Sequence, residues 1–280
     1  MEQLVSTQWL QDELGSPDLV VLDCTVFLRM GDNGFISESG RQNWADGHIP
    51  GAGFADLNED LVDASSRLRY ALPAAREFAD AMQRLGVSDD SRVVLYDDNR
   101  AMWAARVWWM LRWIGFDNAA LLDGGLQAWK AESRPVTTAF DAPAEGTLTV
   151  HERPQIIADK ADVLAAIDDG STCLIDALSP ASFSGEVNAY GRPGHIPGAS
   201  NASATALLDD ETGCYLPAAE LRPRFPDDQS ARIVNYCGGG IAASSAAFVQ
   251  TMLGFHDVAV YTASLQEWVG DADAPMTVEG

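Results

Sequence analysis

The chain repeats itself, and the repeat limits the folds open to it more than any other feature. Ser91-Arg92-Val93-Val94-Leu95-Tyr96-Asp97 matches Ala231-Arg232-Ile233-Val234-Asn235-Tyr236-Cys237, so that Asp97 and Cys237 stand 140 residues apart. Gly125-Leu126-Gln127-Ala128-Trp129 matches Ser264-Leu265-Gln266-Glu267-Trp268 at an offset of 139. Gly47-His48-Ile49-Pro50-Gly51-Ala52 recurs as Gly194-His195-Ile196-Pro197-Gly198-Ala199 at 147, and Val21-Leu22-Asp23 recurs as Leu174-Ile175-Asp176. Four matches in one order mean two copies of a domain of roughly 130 residues, which suits a 280-residue chain. Residues 137–154, with Pro143, Gly146 and Pro154 and no helical period, read as a linker. The expected division is a first domain over 1–140, a linker over 141–155 and a second domain over 156–280.

Within each copy, short β-rich runs (19–22, 92–96 and 119–122; 173–176, 232–236 and 258–261) alternate with helical stretches (74–85 and 101–115; 160–167 and 241–253). Alternation of this kind predicts an α/β fold, each copy a mainly parallel sheet with crossover helices on both faces. Ligands bind such sheets at the carboxyl ends of their strands. Cys237 is at such an end.

Cys237 also opens a loop of three glycines, Gly238, Gly239 and Gly240, before a helical segment that begins at Ile241. Glycines let the backbone turn tightly with successive N–H groups inward, and the helix behind adds its positive dipole end. A cysteine in such a cradle is favoured as the thiolate and is nucleophilic, whereas a structural cysteine is inert. Cys24 and Cys173 lie in apolar runs and read as core residues; Cys214 reads as a loop residue with no role. The four cysteines are far apart, with no close pair that would suggest a zinc site or a redox dithiol, so no metal is expected and the thiols read as reduced.

Composition excludes several partners. The formal charge of −23, from 41 acidic and 18 basic residues, repels nucleic acid and anionic membranes. Residues 101–116, the most apolar stretch, are interrupted by Arg106 and Arg112 and are too short to span a bilayer. No secretory signal is evident at the start, so a soluble, cytoplasmic protein is expected.

Taken together, the Gly-His-Ile-Pro-Gly-Ala motif in both halves, Arg106-Val107-Trp108-Trp109 in the first and the Cys237 loop in the second resemble the two-domain rhodanese-type sulfurtransferases, which include thiosulfate and 3-mercaptopyruvate sulfurtransferases. The resemblance implies two rhodanese-like domains, of which only the second is catalytic, since Asp97 holds the position of Cys237 in the first. It implies a double displacement: the Cys237 thiolate takes sulfane sulfur from thiosulfate or 3-mercaptopyruvate as a persulfide and yields it to a thiophilic acceptor, cyanide or a thiol, a thiol-bearing protein included. No cofactor is implied. The N–H groups of Gly238, Gly239, Gly240, Ile241 and Ala242 are the candidate donors around the sulfur.

Departures from the family pattern bear on the donor. The loop Cys237-Gly238-Gly239-Gly240-Ile241-Ala242-Ala243 is closer to the Cys-Gly-Ser-Gly-Val-Thr-Ala of the mercaptopyruvate type, but Gly239 and Ala242 replace its hydroxyl residues. Leu178 and Ser182 stand where arginines are common, which leaves Arg192, and Arg100 from the first half, as the candidate substrate cations. A partner-fed persulfide carrier or binding protein therefore remains the alternative. A cysteine phosphatase is excluded, because it needs an arginine six positions after the cysteine and Ala243 is there. His48 and His195 belong to a motif shared by both halves and read as turn-stabilising residues. Asp23 and Asp176 read as acceptors at strand ends. Trp103, with Met102, is a candidate pocket wall.

Overall fold

Runs of branched and aromatic residues with no polar alternation, such as Arg92-Val93-Val94-Leu95-Tyr96, suit strands covered on both faces, and the computed structural model, which describes residues 1–31 and 34–278, pairs them that way. In the first half the strands are β1 (Leu4–Val5), β2 (Leu19–Asp23), β3 (Val26–Gly31), β4 (Gly34–Ser39), β5 (Gly53–Phe54), β6 (Arg92–Tyr96) and β7 (Ala119–Leu122). In the second they are β8 (Ile157–Ala158), β9 (Cys173–Asp176), β10 (Ser200–Asn201), β11 (Ile233–Tyr236) and β12 (Val258–Tyr261). One five-stranded sheet has the order β1-β7-β6-β2-β5, the other β8-β12-β11-β9-β10, and every pairing in both is parallel. The two orders are the same topology. The helices are α1 (Thr7–Glu13), α2 (Arg41–Asp46), α3 (Ala75–Arg84), α4 (Met102–Trp113) and α5 (Gly125–Ala131), then α6 (Lys160–Asp169), α7 (Pro180–Ser184), α8 (Ala218–Leu221), α9 (Ile241–Met252) and α10 (Ser264–Trp268).

The chain divides into two units that exchange short segments. Unit 1 comprises Met1–Ser65, Leu72–Arg153 and Asp209–Tyr215; unit 2 comprises Ser66–Ala71, Pro154–Leu208 and Leu216–Gly280. Nothing in the local sequence marks either exchanged segment. Residues 141–153 run along unit 1, with Gly146 N–H on the Gln83 carbonyl and Arg153 N–H on that of Trp113. The antiparallel hairpin β3–β4 is absent from the sequence-based expectation.

In unit 2, Leu174, Val234, Tyr236, Ala259, Tyr261, Leu265 and Trp268 form the core of one sheet face. Unit 1 repeats this with Val21, Val94, Tyr96, Ala120, Leu122, Leu126 and Trp129. On the other face of β11, fully buried Asn235 and Gln250 of α9 exchange amide hydrogen bonds, Asn235 Nδ2–H to Gln250 Oε1 and Gln250 Nε2–H to Asn235 Oδ1, both at 2.8 Å. This pair fixes the helix that starts behind Cys237 to the strand that ends at it. Two expectations change. Cys173, at the first position of β9, is only half buried, because a strand's first residue is not covered by the layers that flank its middle. Trp103 is 1% exposed inside α4, so it is part of the core of unit 1 and not a pocket wall.

Gln250→Leu leaves Asn235 Oδ1 buried without its donor. The expected loss is roughly 1–3 kcal/mol, read as a lower urea midpoint for the unfolding of the full chain.

Candidate active site

At the end of β11 the register sets Tyr236 beside Asp176 of β9, and at the end of β6 it sets Tyr96 beside Asp23 of β2. Each tyrosine hydroxyl accepts a backbone N–H from the conserved-in-both-halves motif, Ile196 onto Tyr236 at 3.0 Å and Ile49 onto Tyr96 at 3.3 Å. The motif's histidines are held in parallel ways. His195 stacks on Phe183 at 3.7 Å with Nδ1 2.8 Å from the Phe183 carbonyl, and His48 stacks on Trp44 at 4.5 Å with Nδ1 2.7 Å from the Trp44 carbonyl. Both also form an isolated backbone bridge, His48 with Thr137 and His195 with Thr277.

The next residue in the chain is Asp97 in one half and Cys237 in the other. Asp97, 2% exposed, accepts four backbone N–H groups: Asn99 and Ala101 on Oδ1, Trp103 and Ala104 on Oδ2, all at 2.8–2.9 Å. Burial pushes its carboxyl up, and the four N–H groups offset part of that rise. Cys237 is also 2% exposed, and its Sγ accepts the Gly240 N–H at 3.1 Å. Gly240 caps α9 with φ of 83°, a left-handed conformation that glycine adopts without strain. In unit 1, Ala101 caps α4 at the same point with φ of 59°. The Cys237 N–H donates to Ser264 Oγ at 3.1 Å, and that hydroxyl donates to the Tyr261 carbonyl at 2.7 Å. Ser264 itself is left-handed at φ 55°. Gly125 matches it in unit 1, where a Cβ would lie 2.4 Å from the Asp97 carbonyl.

Gly238 and Gly239 are glycines for a second reason, the approach of other side chains. A Cβ on Gly238 would fall 1.9 Å from Tyr190 Oη, and one on Gly239 would fall 3.0 Å from Gln266 Nε2 and 3.6 Å from Tyr70 Cδ2. Gln266 continues outward: its Oε1 accepts the Arg69 N–H and its Nε2 donates to the Arg69 carbonyl, both at 2.9 Å. Burial raises the Tyr190 hydroxyl well above its ordinary value, with the Cys237, Asp176 and Tyr70 charges adding to the rise and Arg69 opposing it. Tyr190, Tyr70, Arg69 and Gln266 were absent from the sequence-based candidates. Only Gln266 carried any sequence signal, as part of the repeated Leu-Gln element.

Of the expected residues, Cys237, Gly238, Gly239, Gly240, Ile241 and Ala242 are together at the strand–helix junction. Arg192 is engaged elsewhere in unit 2, its guanidinium donating to the carbonyls of Asp271 and Ala274 at 2.8 Å each. Arg100 belongs to unit 1, in an ion pair with Asp210 at 2.7 Å. Among the described residues no group of three or more His, Cys, Asp or Glu could hold a metal ion.

A buried thiol at the head of a helix, its sulfur accepting the Gly240 N–H, has the setting in which a cysteine can act as a nucleophile. The model of the rhodanese-like domain matches residues 6–132 and 159–271. The chain belongs to the rhodanese family. The probable 3-mercaptopyruvate sulfurtransferase of Pseudomonas aeruginosa is 37% identical over 286 residues, covering 98% of this chain and 97% of the relative. The sulfur carrier protein TtuD of Thermus thermophilus is 33% identical over 283 residues, covering 95% and 93%. The crystal structure of SseA from Escherichia coli, described as a 3-mercaptopyruvate sulfotransferase of rhodanese fold, matches with a TM-score of 0.83 at 30% identity, covering 94% of this chain and 99% of that one. The chain is a sulfurtransferase.

Asp176 gives the site a pH signature. Its side chain is fully buried, Oδ1 accepts the Leu178 N–H at 2.8 Å, and Oδ2 makes no hydrogen bond among the described residues. Burial raises its pKa from 3.8 to about 6, while the Leu178 N–H, the Tyr236 hydroxyl and His195 pull it partly back. The folded value lies above the unfolded one, so the folded state favours the protonated carboxyl. That contribution is fully present below about pH 4 and is lost as pH rises through about 6. Asp176→Asn is neutral throughout and is expected to exceed the wild type in stability at pH 7 by up to about 3 kcal/mol. The gap should close toward pH 4, as read from urea midpoints at pH 4, 5.5 and 7.

Proposed function

We propose that this sulfurtransferase takes sulfur from 3-mercaptopyruvate or thiosulfate, holds it as a persulfide on Cys237 and passes it to a thiophilic acceptor, cyanide or a thiol. The observation that carries this reading is the Gly240 N–H at 3.1 Å from Cys237 Sγ, at the junction of a strand end and a helix N-terminus. A helix start favours the anion over the thiol.

In the first half-reaction the Cys237 thiolate attacks the sulfur of 3-mercaptopyruvate. An S–S bond forms and the C–S bond breaks; its electron pair goes to the carbon, which takes up a proton and leaves as pyruvate. With thiosulfate the attacked atom is the outer sulfur, and sulfite leaves with the pair from the broken S–S bond. In the second half-reaction the acceptor attacks the outer sulfur of the persulfide and Cys237 departs as thiolate, which restores the enzyme. Neither step calls for a metal or an organic cofactor. Of the two donors, 3-mercaptopyruvate is favoured by the neutral glycine loop and by the names of the relatives. The four free cysteines suit work in a reducing compartment, the cytoplasm.

Asp97 cannot act as a sulfur nucleophile, and its carboxylate fills the cradle of unit 1, so that half serves as scaffold. The second reading, a persulfide carrier fed by a partner protein, is supported by uncharged Leu178 and Ser182 and by the relative named a sulfur carrier.

Intact mass tests these readings. Incubation with 3-mercaptopyruvate or thiosulfate is expected to add about 32 Da, one sulfur, removable by cyanide and absent from Cys237→Ser. No adduct from either small donor would favour the carrier. Asp97→Asn is expected to keep turnover within about twofold while lowering stability by about 1 kcal/mol, since an amide replaces one of two accepting oxygens. A large loss of turnover would give unit 1 a direct part in the chemistry.

A further inference from the structure

Gly238 and Gly239 follow Cys237, and neither has the left-handed backbone that glycine alone adopts easily. Their lack of a side chain therefore answers to space. At Gly238 a Cβ would fall 1.9 Å from Tyr190 Oη, 2.2 Å from Cζ and 2.5 Å from Cε1, so the hydroxyl end of that ring fills the direction in which residue 238 would carry a side chain. The loop cannot back away from the ring. The Cys237 and Gly238 carbonyls accept the Leu265 and Gln266 N–H groups of α10 at 3.0 Å each, and the Cys237 N–H is held by Ser264 Oγ at 3.1 Å. The ring is carried differently, on a surface turn of unit 2 in which Glu186, Val187, Asn188 and Gly191 are exposed and the Gly191 N–H closes on Asn188 Oδ1 at 2.9 Å. From that turn Tyr190 reaches inward, packs against the unit 2 core, and its hydroxyl feels the Cys237 charge. Cys237 is 2% exposed, so a donor or acceptor has to pass the groups laid on its loop.

We propose that Tyr190 is a specificity-determining residue: its ring, laid on Gly238 beside Cys237, restricts the site to slender donors and acceptors, with no branch on the atom that carries the sulfur. The inference rests on the function proposed above and names the shape that its substrates share. In 3-mercaptopyruvate the sulfur is borne by a CH2 group, and cyanide is linear; both are slender. In thiosulfate the atom that bears the outer sulfur also carries three oxygens, so the same ring disfavours it. Exclusion by shape needs no charge, which suits a loop without charged side chains in a protein of net charge −23. Tyr70 and Gln266 crowd the neighbouring position in the same way: a Cβ on Gly239 would lie 3.6 Å from Tyr70 Cδ2 and 3.0 Å from Gln266 Nε2. Tyr190 makes the closer approach, and it is the one beside the cysteine.

The test uses the full-length protein, Tyr190→Ala, Tyr190→Phe and, as a control, Val187→Ala, an exposed residue of the same turn. Protein loaded with sulfur from 3-mercaptopyruvate is discharged by cysteine and by penicillamine, its analogue with two methyl groups on the carbon that bears the sulfur. The ratio of the penicillamine rate to the cysteine rate is expected to rise at least about fivefold in Tyr190→Ala, and to stay within about twofold of wild type in Tyr190→Phe and Val187→Ala. A second readout needs no sulfur donor: alkylation of Cys237, followed by peptide mass, with iodoacetamide and with a fluorescein-bearing iodoacetamide, which share a reactive group and differ in bulk. The rate with the bulky reagent relative to the small one should rise by a similar factor of about five in Tyr190→Ala alone. A cooperative urea transition in each variant excludes unfolding as the source of a change; should Tyr190→Ala not fold, Tyr190→Leu, which removes the ring and keeps an apolar side chain on the core, carries the same expectation. Unchanged ratios in a folded variant without the ring, with the wild type loading normally, would overturn the role of Tyr190 and leave the proposed function standing. Failure of the wild type to load from either donor would bring down the proposed function, while the alkylation ratio would still decide whether Tyr190 covers Cys237.

Discussion

A strand that stops and a helix that starts within four or five residues leave several backbone N–H groups with no carbonyl to bond, and the side chain just after the strand is placed to accept them. This junction occurs twice in the chain, after Tyr96 and after Tyr236, and much of the surrounding structure serves to hold it. The Asp23 and Asp176 neighbours in register, the tyrosine hydroxyls bonded to the Ile49 and Ile196 N–H groups, and the histidines stacked on Trp44 and Phe183 belong to one frame built twice. Its cost is a pair of buried carboxyls whose ionisation opposes folding, Asp23 and Asp176, both raised to about 6 by burial. The Asn235–Gln250 amide pair adds to the second copy a lock between strand and helix.

Much of this frame was legible because it is local or repeated. The β-rich runs become β2, β6, β7, β9, β11 and β12, and the periodic stretches become α3, α4, α6 and α9, with ends shifted by no more than two residues. The drift of the repeat offset carries further information that only the structure interprets. It falls from 153 at Val21 and Leu174 to 147 at His48 and His195, then to 140 at Asp97 and Cys237, and then to 139. The first half is thus longer by six, seven and one residue in turn. The first difference falls where the hairpin β3–β4 is, the second spans the Ser66–Ala71 segment, and the last is an added residue in the Asp97 loop.

What could not be read is contact between residues far apart in sequence. Tyr190 lies in a stretch with neither strand nor helix period, and nothing in its neighbours says that it packs on Gly238. Arg69 and Gln266 are separated by 197 residues, and the hydrogen bonds between them depend on the placement of a whole segment in unit 2. Arg192 looked available because it precedes the repeated motif, but the carbonyls that take its guanidinium belong to the C-terminal segment. A glycine triplet announces a tight turn; it does not say which side chains come close enough to require it.

The two copies differ in what a single side chain does to the same set of donors. A carboxylate has two oxygens and spreads over four N–H groups, so Asp97 satisfies the junction of unit 1 from within. A thiol offers one acceptor atom, and Cys237 takes the Gly240 N–H. By position, the N–H groups of Ala242 and Ala243 correspond to those of Trp103 and Ala104, which in unit 1 reach Oδ2, the oxygen farther along the first turn of the helix. An outer sulfur attached to Cys237 would extend the side chain by one atom, toward the place that Oδ2 has in the other copy. On the function proposed above, Asp97 Oδ2 in the first copy stands where the second copy would hold that sulfur.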